Sequence, residues 1–516
     1  MFLVKRVGLA PRIVALFLFA TGAVLCCHTQ TARAAGDGSG FSFATVREMA
    51  RALAAKDFRP ANSDLPEVLK KLTYDDYQKI RFRPEHSLWR DDHVRFTAQF
   101  FQRGYLFQEP VSIHVIDNGK VSDVDFSPAM FDYENVRVPP NLPASTQFAG
   151  FRLLYPLVSP QKMDEVAEFL GASYFRVLGA SQRYGSSLRG LAINTAEPSG
   201  EEFPRFTEFW LEKPPPLAGG IRVYALMDSP SVAGAYRFVI EPGNDTRVEV
   251  ETSLFFRKSP EQIGLAPVGS MFLMGQNRTR YIPDYRPQVH DSDGLLVEMG
   301  DGTRIWRPLV NPPRAFRTSR FPCVELKGFG LMQRDRDFSD YDDLGSRFER
   351  RPSYWIEPQG YWGPGAVELV EIPTGTDWND NVVAYWRPRD KPAVGQELHL
   401  TYRISALLAG PEQVPLLRVQ STRIRPENGD TPPRFVIDFA GTSPQADLNS
   451  DGAVKVQTSR GQVKNLVIQT NDATGGWQVF FDLPGAGDKQ TDLRLRLQPG
   501  GKPASETWVY NYQKSD

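Results

Sequence analysis

Carboxylates and tryptophans crowd one stretch of the sequence, residues 328–387. Its tryptophans are Trp355, Trp362, Trp378 and Trp386, and its acids include Asp335, Asp337, Asp340, Asp342, Asp343, Glu349, Glu357, Glu371, Asp377 and Asp380. Paired carboxylic acids are the usual machinery of glycoside hydrolysis. Aromatic faces stack on the apolar C–H faces of sugar rings. The stretch therefore favours carbohydrate chemistry, although solvated charges and core tryptophans of a β protein remain the alternative.

Other routes to catalysis find no support in the sequence. The six histidines include no pair at i, i+4 and no H-E-x-x-H motif, which disfavours a zinc hydrolase. A nucleophile elbow, a Walker loop and a dinucleotide-binding glycine motif are also missing. Residues 447–452 copy the start of a calcium loop, but its twelfth position is Thr458 rather than Glu. We expect no metal and no cofactor, and the pI of about 6.6 gives no nucleic-acid footprint.

The elements that must position these side chains are mostly strands. The chain of 516 residues has 42 Gly, 41 Pro and 12% aromatic residues, which favours short strands and many turns. Period-two or short apolar runs occur at residues 111–116, 151–158, 221–227, 236–240, 247–256, 366–372 and 398–407. Helical spacing is limited to residues 43–55 and 163–170, with a weaker candidate at 65–77. The pattern predicts a mainly β protein with a large sandwich.

A domain boundary is predicted near residues 409–415, where Gly and Pro interrupt the strands. Seven short strands at even spacing follow over residues 416–516, a pattern typical of a small immunoglobulin-like sandwich. The large β-sandwich domain would then span residues 35–408. Two independently packed domains are expected.

Residues 1–34 have the layout of a secretory signal peptide. A basic start is followed by an apolar run at residues 13–25 and by Ala32-Arg33-Ala34. The run is too short to span a bilayer comfortably, so we expect Sec-type export without stable membrane insertion. After cleavage Cys323 is the only cysteine, and the mature chain has no internal disulfide. An exported chain without disulfides is typical of a bacterial periplasm.

Several long blocks resemble the bacterial periplasmic glucans biosynthesis proteins G and D, the MdoG family. The blocks are LGASYFRVLGA (170–180), RGLAINTAEPSGEEFPRFTEFW (189–210), VHDSDGL (289–295), IWRPL (305–309), FGLMQRDRDF (329–338), RPSYWIEP (351–358) and EIPT…NDNVVAYW (371–386). The resemblance covers essentially the whole mature chain. It implies a large N-terminal β-sandwich, a smaller immunoglobulin-like C-terminal domain, and a role in making osmoregulated periplasmic glucans with a β-1,2-linked backbone.

The resemblance also implies two catalytic residues. Members of the family look like inverting β-1,2-glucanases, whose general acid matches Asp380 in the N-D-N block and whose general base matches Asp291 in the H-D-S block. The acid would protonate the leaving glycosidic oxygen, and the base would accept a proton from water, in this family through a relay. The alternatives are turn-forming roles for both, at Asp293-Gly294 in the case of Asp291.

One position departs from the family pattern. Phe348 stands where relatives often carry Tyr before the R-P-S block, so a missing hydroxyl would slow hydrolysis or favour transfer to a sugar. Around the acids we expect substrate contacts from Trp355, Trp362, Trp386, Arg351, His290 and Phe348. Structural roles are the alternative for each: core packing for the tryptophans, a carboxylate pair for Arg351, and hydrogen bonding to a neighbour for His290.

The sequence thus predicts a periplasmic glycoside hydrolase that cleaves or trims β-1,2-glucan. Two rivals remain: a non-catalytic glucan-binding factor that assists the synthase or a branching enzyme, and a transglycosylase acting on the same glucan. The expected partners are β-1,2-glucan and the inner-membrane glucan synthase machinery, without nucleic acid. The choice between the G and D members, the chain-length preference and the oligomeric state are left open.

Overall fold

The computed structural model describes residues 40–61, 65–139, 141–411, 415–441, 448, 450, 452–487 and 489–514. The predicted signal peptide (1–34), part of the predicted linker (412–414) and half of the calcium-like stretch (447, 449 and 451) lie outside the described residues. In the described ranges the α-helices are α1 (Phe43–Ala54), α2 (Glu67–Lys70) and α3 (Tyr74–Lys79).

Strands are the main regular elements of the described residues. The first sixteen are β1 (Arg81–Phe82), β2 (Thr97–Gln102), β3 (Ser112–Asp117), β4 (Lys120–Asp123), β5 (Phe131–Asp132), β6 (Phe148–Ser159), β7 (Lys162–Leu170), β8 (Tyr174–Val177), β9 (Ser187–Arg189), β10 (Leu191–Ile193), β11 (Arg205–Glu212), β12 (Ile221–Asp228), β13 (Val232–Glu241), β14 (Thr246–Phe256), β15 (Ile263–Ser270) and β16 (Phe272–Met274). The others are β17 (Val289–His290), β18 (Gly294–Met299), β19 (Arg304–Pro308), β20 (Arg317–Cys323), β21 (Leu326–Met332), β22 (Ser353–Pro358), β23 (Gly365–Glu371), β24 (Val382–Pro388), β25 (Glu397–Leu407), β26 (Arg418–Arg425), β27 (Arg434–Ala440), β28 (Val454–Thr458), β29 (Lys464–Asn471), β30 (Gly476–Asp482), β31 (Thr491–Leu497) and β32 (Thr507–Tyr512). The prediction of a mainly β fold is confirmed.

Two large sheets form a sandwich. One has the order β2-β6-β7-β8-β9-β15-β24-β23-β20, with β10 also paired to β15. The other runs β28-β31-β32-β19-β18-β21-β22-β25-β14-β13-β12-β11-β3-β4. Alternate residues of both sheets fill the space between them; for example, the rings of Phe169 and Phe209 meet edge to face with centroids 5.3 Å apart. Helix α1 covers the outer face of the second sheet, where Val46 and Ala50 are fully buried.

The helical prediction for residues 43–55 is confirmed by α1, but the one for residues 163–170 is wrong. That segment is strand β7, paired between β6 and β8. Leu153 pairs with Ala167 and Leu154 with Glu165, so Val166 is an extra residue in a β-bulge. The bulge lets two consecutive apolar residues face the core, which imitates helical spacing in the sequence.

All seven C-terminal strands are present. Four form a separate sheet, β26-β27-β30-β29, while β28, β31 and β32 lie at the end of the larger sheet. Side chains from both layers, such as Ile437, Val479 and Leu495, form a common core. Strand β32 pairs in parallel with β19 through Ile305 and Trp306. The C-terminal strands therefore extend the large sheet, and the division into two independent domains remains a prediction.

Candidate active site

Asp380 lies just before β24, on the outer face of the first sheet. Ser187 Oγ donates a hydrogen bond to its Oδ2 at 2.5 Å, and the strand between them, β15, passes beneath at Gly269. A Cβ atom on Gly269 would lie 2.6 Å from Ser187 Oγ and 2.9 Å from Asp380 Oδ2. Only glycine leaves room there, so the bare backbone of β15 allows this carboxylate to lie against the sheet.

Asp291 follows β17 and is 5% exposed. Its backbone N–H donates to the Met271 carbonyl at 2.8 Å, and its Oδ1 has no hydrogen-bond partner among the described residues. A Cβ atom on Gly185 would lie 2.8 Å from Asp291 Cγ and 2.6 Å from Arg351 Cδ. A second glycine thus provides the space in which this carboxylate meets an arginine.

The segments that carry the two acids meet at the end of β15. The Asn381 N–H donates to the Ser270 carbonyl at 3.0 Å, next to the Met271 carbonyl that holds Asp291. Behind them three buried hydroxyls form a cluster, in which Ser270 donates to Ser292 at 2.9 Å and Ser186 to Ser270 at 3.1 Å. The last residue of β15 and the residue after it therefore bring the segments of both carboxylates together, although the two acids are 89 positions apart in the sequence.

The surroundings of Asp291, including Asp380, change its pKa. Burial raises the pKa of Asp291 to about 6, Arg351 opposes the rise, and the negative charge of Asp380 adds to it. Arg176 interacts with both acids. Its positive charge lowers the pKa of Asp291, and the charges of Glu168 and Asp380 raise its own pKa above the usual value despite burial. The pKa of Asp291 therefore lies closer to neutral pH than that of an ordinary aspartate, which suits an acid–base role.

A row of polar side chains crosses the outer face of the first sheet and ends at this pair. Strand register places Gln99 beside Arg152, Arg152 beside Glu168, and Glu168 beside Arg176. The next strand pair, Phe175 with Leu188, brings Ser187 alongside. Arg152, Glu168 and Arg176 are half-buried, whereas Gln99 and Ser187 are buried. Hydrogen bonds link neighbours in the row, including Arg152 to Gln99 at 2.7 Å and Arg176 to Glu168 at 2.8 Å. We call Gln99, Arg152, Glu168, Arg176 and Ser187 the polar row.

Arg351 and Phe348 both lie at the Asp291 side of the site. Arg351 Nε is 3.5 Å from Asp291 Oδ1, and its guanidinium carbon lies 5.1 Å from the centre of the Phe348 ring. Phe348 is buried in a small apolar cluster with Tyr341, whose ring is 5.7 Å away. The predicted contact of Arg351 with a carboxylate is therefore present, and the Phe348 ring packs against that arginine.

The other predicted substrate contacts lie away from the surface. His290 is fully buried, stacks on Phe272, and contacts the amide oxygens of Gln333 and Gln288. Burial lowers its pKa to about 3, so the ring is neutral. Two of the predicted tryptophans, Trp355 and Trp386, are core residues.

Trp362 lies on the turn between β22 and β23. It is half-buried and donates to the Thr401 carbonyl at 3.2 Å. Trp355 and Trp386 are thus buried and Trp362 is half-buried, and the contact of these three rings with sugar stays a prediction.

Sequence reasoning missed four residues of the site. Gly185, Ser187 and Gly269 shape the positions of the two acids, and Trp378 lies two residues before Asp380 with 80% of its surface exposed. A glycine inside a strand pattern was the available signal for Gly269, because it marks a close approach of other groups. No feature of the sequence indicates that Trp378 is exposed.

The fold and the site define a β-sandwich protein with a row of polar groups on one sheet and a carboxylate pair at its end. The family model described as "Periplasmic glucan biosynthesis protein, MdoG" matches residues 41–512. The chain is 44% identical over 483 residues to Glucans biosynthesis protein G of Ralstonia nicotianae, covering 91% of this chain and 95% of the relative. It is 43% identical to the Probable glucans biosynthesis protein D of Shewanella oneidensis (92% and 88% covered) and to Glucans biosynthesis protein G of Rhodopseudomonas palustris (92% and 94%).

The chain belongs to the MdoG family of periplasmic glucan biosynthesis proteins. The predicted family is thereby confirmed, together with a role in glucan biosynthesis. Across the part of the chain that the structure describes, no helix has the length and apolar character needed to cross a membrane. The same residues contain no group of three or more His, Cys, Asp or Glu side chains arranged to hold a metal ion.

Proposed function

We propose that this protein cleaves or trims the β-1,2-linked glucan backbone by inverting acid/base hydrolysis. The observation that carries the proposal is the meeting of Asp380 and Asp291 at the end of β15, beside the polar row. One carboxyl group can then protonate the leaving oxygen while the other accepts a proton from water. A row of hydrogen-bonding groups that crosses several strands suits a polymer, because a long chain can lie along it.

Asp380 is the proton donor in this proposal. Ser187 holds one of its oxygens from the sheet side, and the segment is anchored next to it by Asn381, which exchanges hydrogen bonds with the Phe272 backbone at 2.8 and 3.1 Å. The carboxyl group is half-buried, so its remaining surface faces solvent. A donor fixed in this way meets the glycosidic oxygen in a constant orientation.

Asp291 is the proton acceptor. Its pKa of about 6 leaves the carboxylate mostly ionised at pH 7, yet basic enough to take a proton from water. Its unpartnered Oδ1 is the atom available for that proton. Because Asp291 is almost fully buried, transfer through an intervening group fits the site better than direct contact with the attacking water.

Phe348 favours a second candidate, transfer of the glycosyl group to another sugar. No hydroxyl is available on this ring, which packs beside Arg351 and Asp291. If the family relay runs through a tyrosine at this position, water is activated less efficiently here, and a sugar hydroxyl competes better as the acceptor. A glucan-binding factor without catalysis is the remaining alternative.

The proposal also includes export to the periplasm. The first 34 residues would direct Sec-type export and be removed near Ala35, leaving the protein in the periplasm with access to the nascent glucan and to the inner-membrane synthase machinery. The mass of the purified mature protein tests the cleavage site. An intact N-terminus would contradict this part of the proposal.

The deciding experiment incubates the purified protein with linear β-1,2-glucan and resolves the products by size. Shorter products alone indicate hydrolysis, and a mixture of shorter and longer products indicates transfer. Unchanged glucan in the presence of folded, glucan-binding protein would leave the binding factor as the function. The anomeric form of the first product, followed by nuclear magnetic resonance, tests inversion.

A further inference from the structure

The loop that carries Asp380, residues 373–381, is fixed at several points. Near its start, Thr374 and Asn311 exchange two hydrogen bonds, at 2.9 and 3.0 Å. Near its end, Asn381 donates to the Ile372 carbonyl at 2.9 Å and bonds to the Phe272 backbone. These hydrogen bonds fix the conformation of the loop, and its exposed side chains are therefore held at the surface.

Arg286 connects this loop to two others. Its guanidinium contacts Asp377 at 2.8 Å, Asp343 at 3.1 Å and Asp284 at 2.7 Å, and all four side chains are largely buried. Asp377 belongs to the Asp380 loop, Asp343 to the segment before Phe348, and Asp284 to the segment between β16 and β17. We call this group the Arg286 hub. The negative charge of Asp377 adds to the rise in the pKa of Asp291, and Asp377 lies three residues before Asp380, so the hub adjoins the candidate site.

Each carboxylate of the hub is followed directly by an exposed apolar side chain. Tyr285 is 77% exposed, Leu344 is 75% exposed, and Trp378 is 80% exposed. The Tyr285 ring centre is 5.9 Å from the Arg286 guanidinium carbon. Among the nine tryptophans, all of which lie in described ranges, Trp378 alone is exposed. Exposed apolar groups gathered by buried ion pairs mark a surface that binds something.

We propose that Trp378 and Tyr285 form a sugar-stacking platform beside Asp380, held by the Arg286 hub. The inference rests on the proposed function in taking a glucan chain as the ligand. A pyranose ring offers an apolar C–H face to an indole ring and its hydroxyls to the polar groups nearby. Trp378 is two residues from the candidate proton donor, so a ring stacked on it lies at a sugar unit adjoining the scissile bond. The platform thus sets the orientation of the glucan chain across the site.

Binding and fluorescence in an Asp380→Asn background test the platform without turnover. Linear β-1,2-glucan should protect Trp378 from acrylamide quenching, and this protection should be lost in Asp380→Asn/Trp378→Phe. By calorimetry, Trp378→Ala should raise the dissociation constant about tenfold or more, while Trp378→Phe should retain most of the affinity.

Tyr361→Ala is the matched control. Tyr361 is 66% exposed but lies near Gly365, which pairs with Pro388 at the far end of β24 from Asp380. The dissociation constant should be unchanged in this variant. Equal affinity in Trp378→Ala, or no protection of Trp378 by glucan, would overturn the platform. Protection of Trp378 in a wild-type protein that releases no products would retain the platform and remove the hydrolase proposal.

Discussion

The Nε atom of Arg351 lies 3.5 Å from Oδ1 of Asp291, and neither atom has a hydrogen-bond partner in the described structure. The contact is too long for a strong charge-assisted hydrogen bond. It therefore offsets only part of the cost of burying the carboxylate, and the pKa of Asp291 remains raised, at about 6. A carboxylate held loosely in this way keeps an oxygen free for a proton.

The rate of glucan cleavage should rise as the pH increases through about 6. Asp291 must be ionised to accept a proton, and its pKa lies there because of burial. Initial rates on linear β-1,2-glucan between pH 4 and about 8 measure this. A rate that falls as the pH rises through about 6 would instead assign Asp291 as the proton donor.

The free energy of unfolding of Asp291→Asn, relative to that of the wild type, should be higher at neutral pH than at acid pH. Burial raises the folded pKa of Asp291 to about 6, above its ordinary value of 3.8, so the contribution of this group to stability is greatest below about pH 4 and is lost as the pH rises from about 4 through 6. Asparagine does not titrate, so the difference should shift by up to about 3 kcal/mol in favour of the variant. Denaturant unfolding of both proteins at several pH values measures it. A pH-independent difference would place Asp291 in a more polar environment than the structure shows.

Asp380→Asn should lower turnover by at least about 10²-fold, because an amide cannot deliver a proton to the leaving oxygen. Glucan affinity should be retained, since the amide oxygen can still accept the hydrogen bond from Ser187. Asp390→Asn is the matched control: Asp390 is largely exposed beyond the far end of β24. Unchanged turnover in a folded Asp380→Asn protein would favour the binding-factor function.

Phe348→Tyr should increase hydrolysis relative to transfer if a missing hydroxyl limits the wild type. The new group would lie in a buried cluster beside Tyr341, so some loss of stability is expected from its desolvation. The ratio of shorter to longer products measures the effect, with the melting temperature recorded alongside. The same ratio in both proteins would remove this position from the proton path.

Arg286→Gln should raise the KM for glucan more than it lowers kcat. Loss of the guanidinium leaves three neighbouring carboxylates without their shared cation, so the loops that carry Tyr285 and Trp378 should separate. Arg286→Lys should recover part of the affinity. Arg389→Gln, which removes an exposed arginine paired with Asp390, is the control and should leave KM unchanged. Equal effects of the Gln and Lys variants on kcat alone would contradict a positioning role.

The strands could be predicted from the sequence because period-two patterns survive in the final fold. Residues 398–407 become part of β25, and residues 366–372 overlap β23. The same rule explains Trp386, which shares its face of β24 with Val382 and Ala384 and is therefore buried. The bulge at Val166 broke the pattern and produced the wrong helix prediction.

The site was only partly predictable. Resemblance pointed to Asp380 and Asp291, but long-range packing determines the rest, since Arg286 meets Asp377 across 91 positions. The exposure of Trp378 likewise follows from the loops gathered around it, because nothing in the spacing of the four tryptophans of residues 328–387 distinguishes an exposed ring from a buried one.

The pairing of β32 with β19 affects how the chain can be divided. Removal of the C-terminal residues would uncover the backbone N–H and C=O groups of β19 and the apolar side chains of Leu296, Trp306 and Trp355, which now share a core with the C-terminal strands. A bare edge of this kind recruits other strands and promotes aggregation. The C-terminal strands thus cover the edge of β19, and the rest of the large sheet depends on them to keep that edge paired.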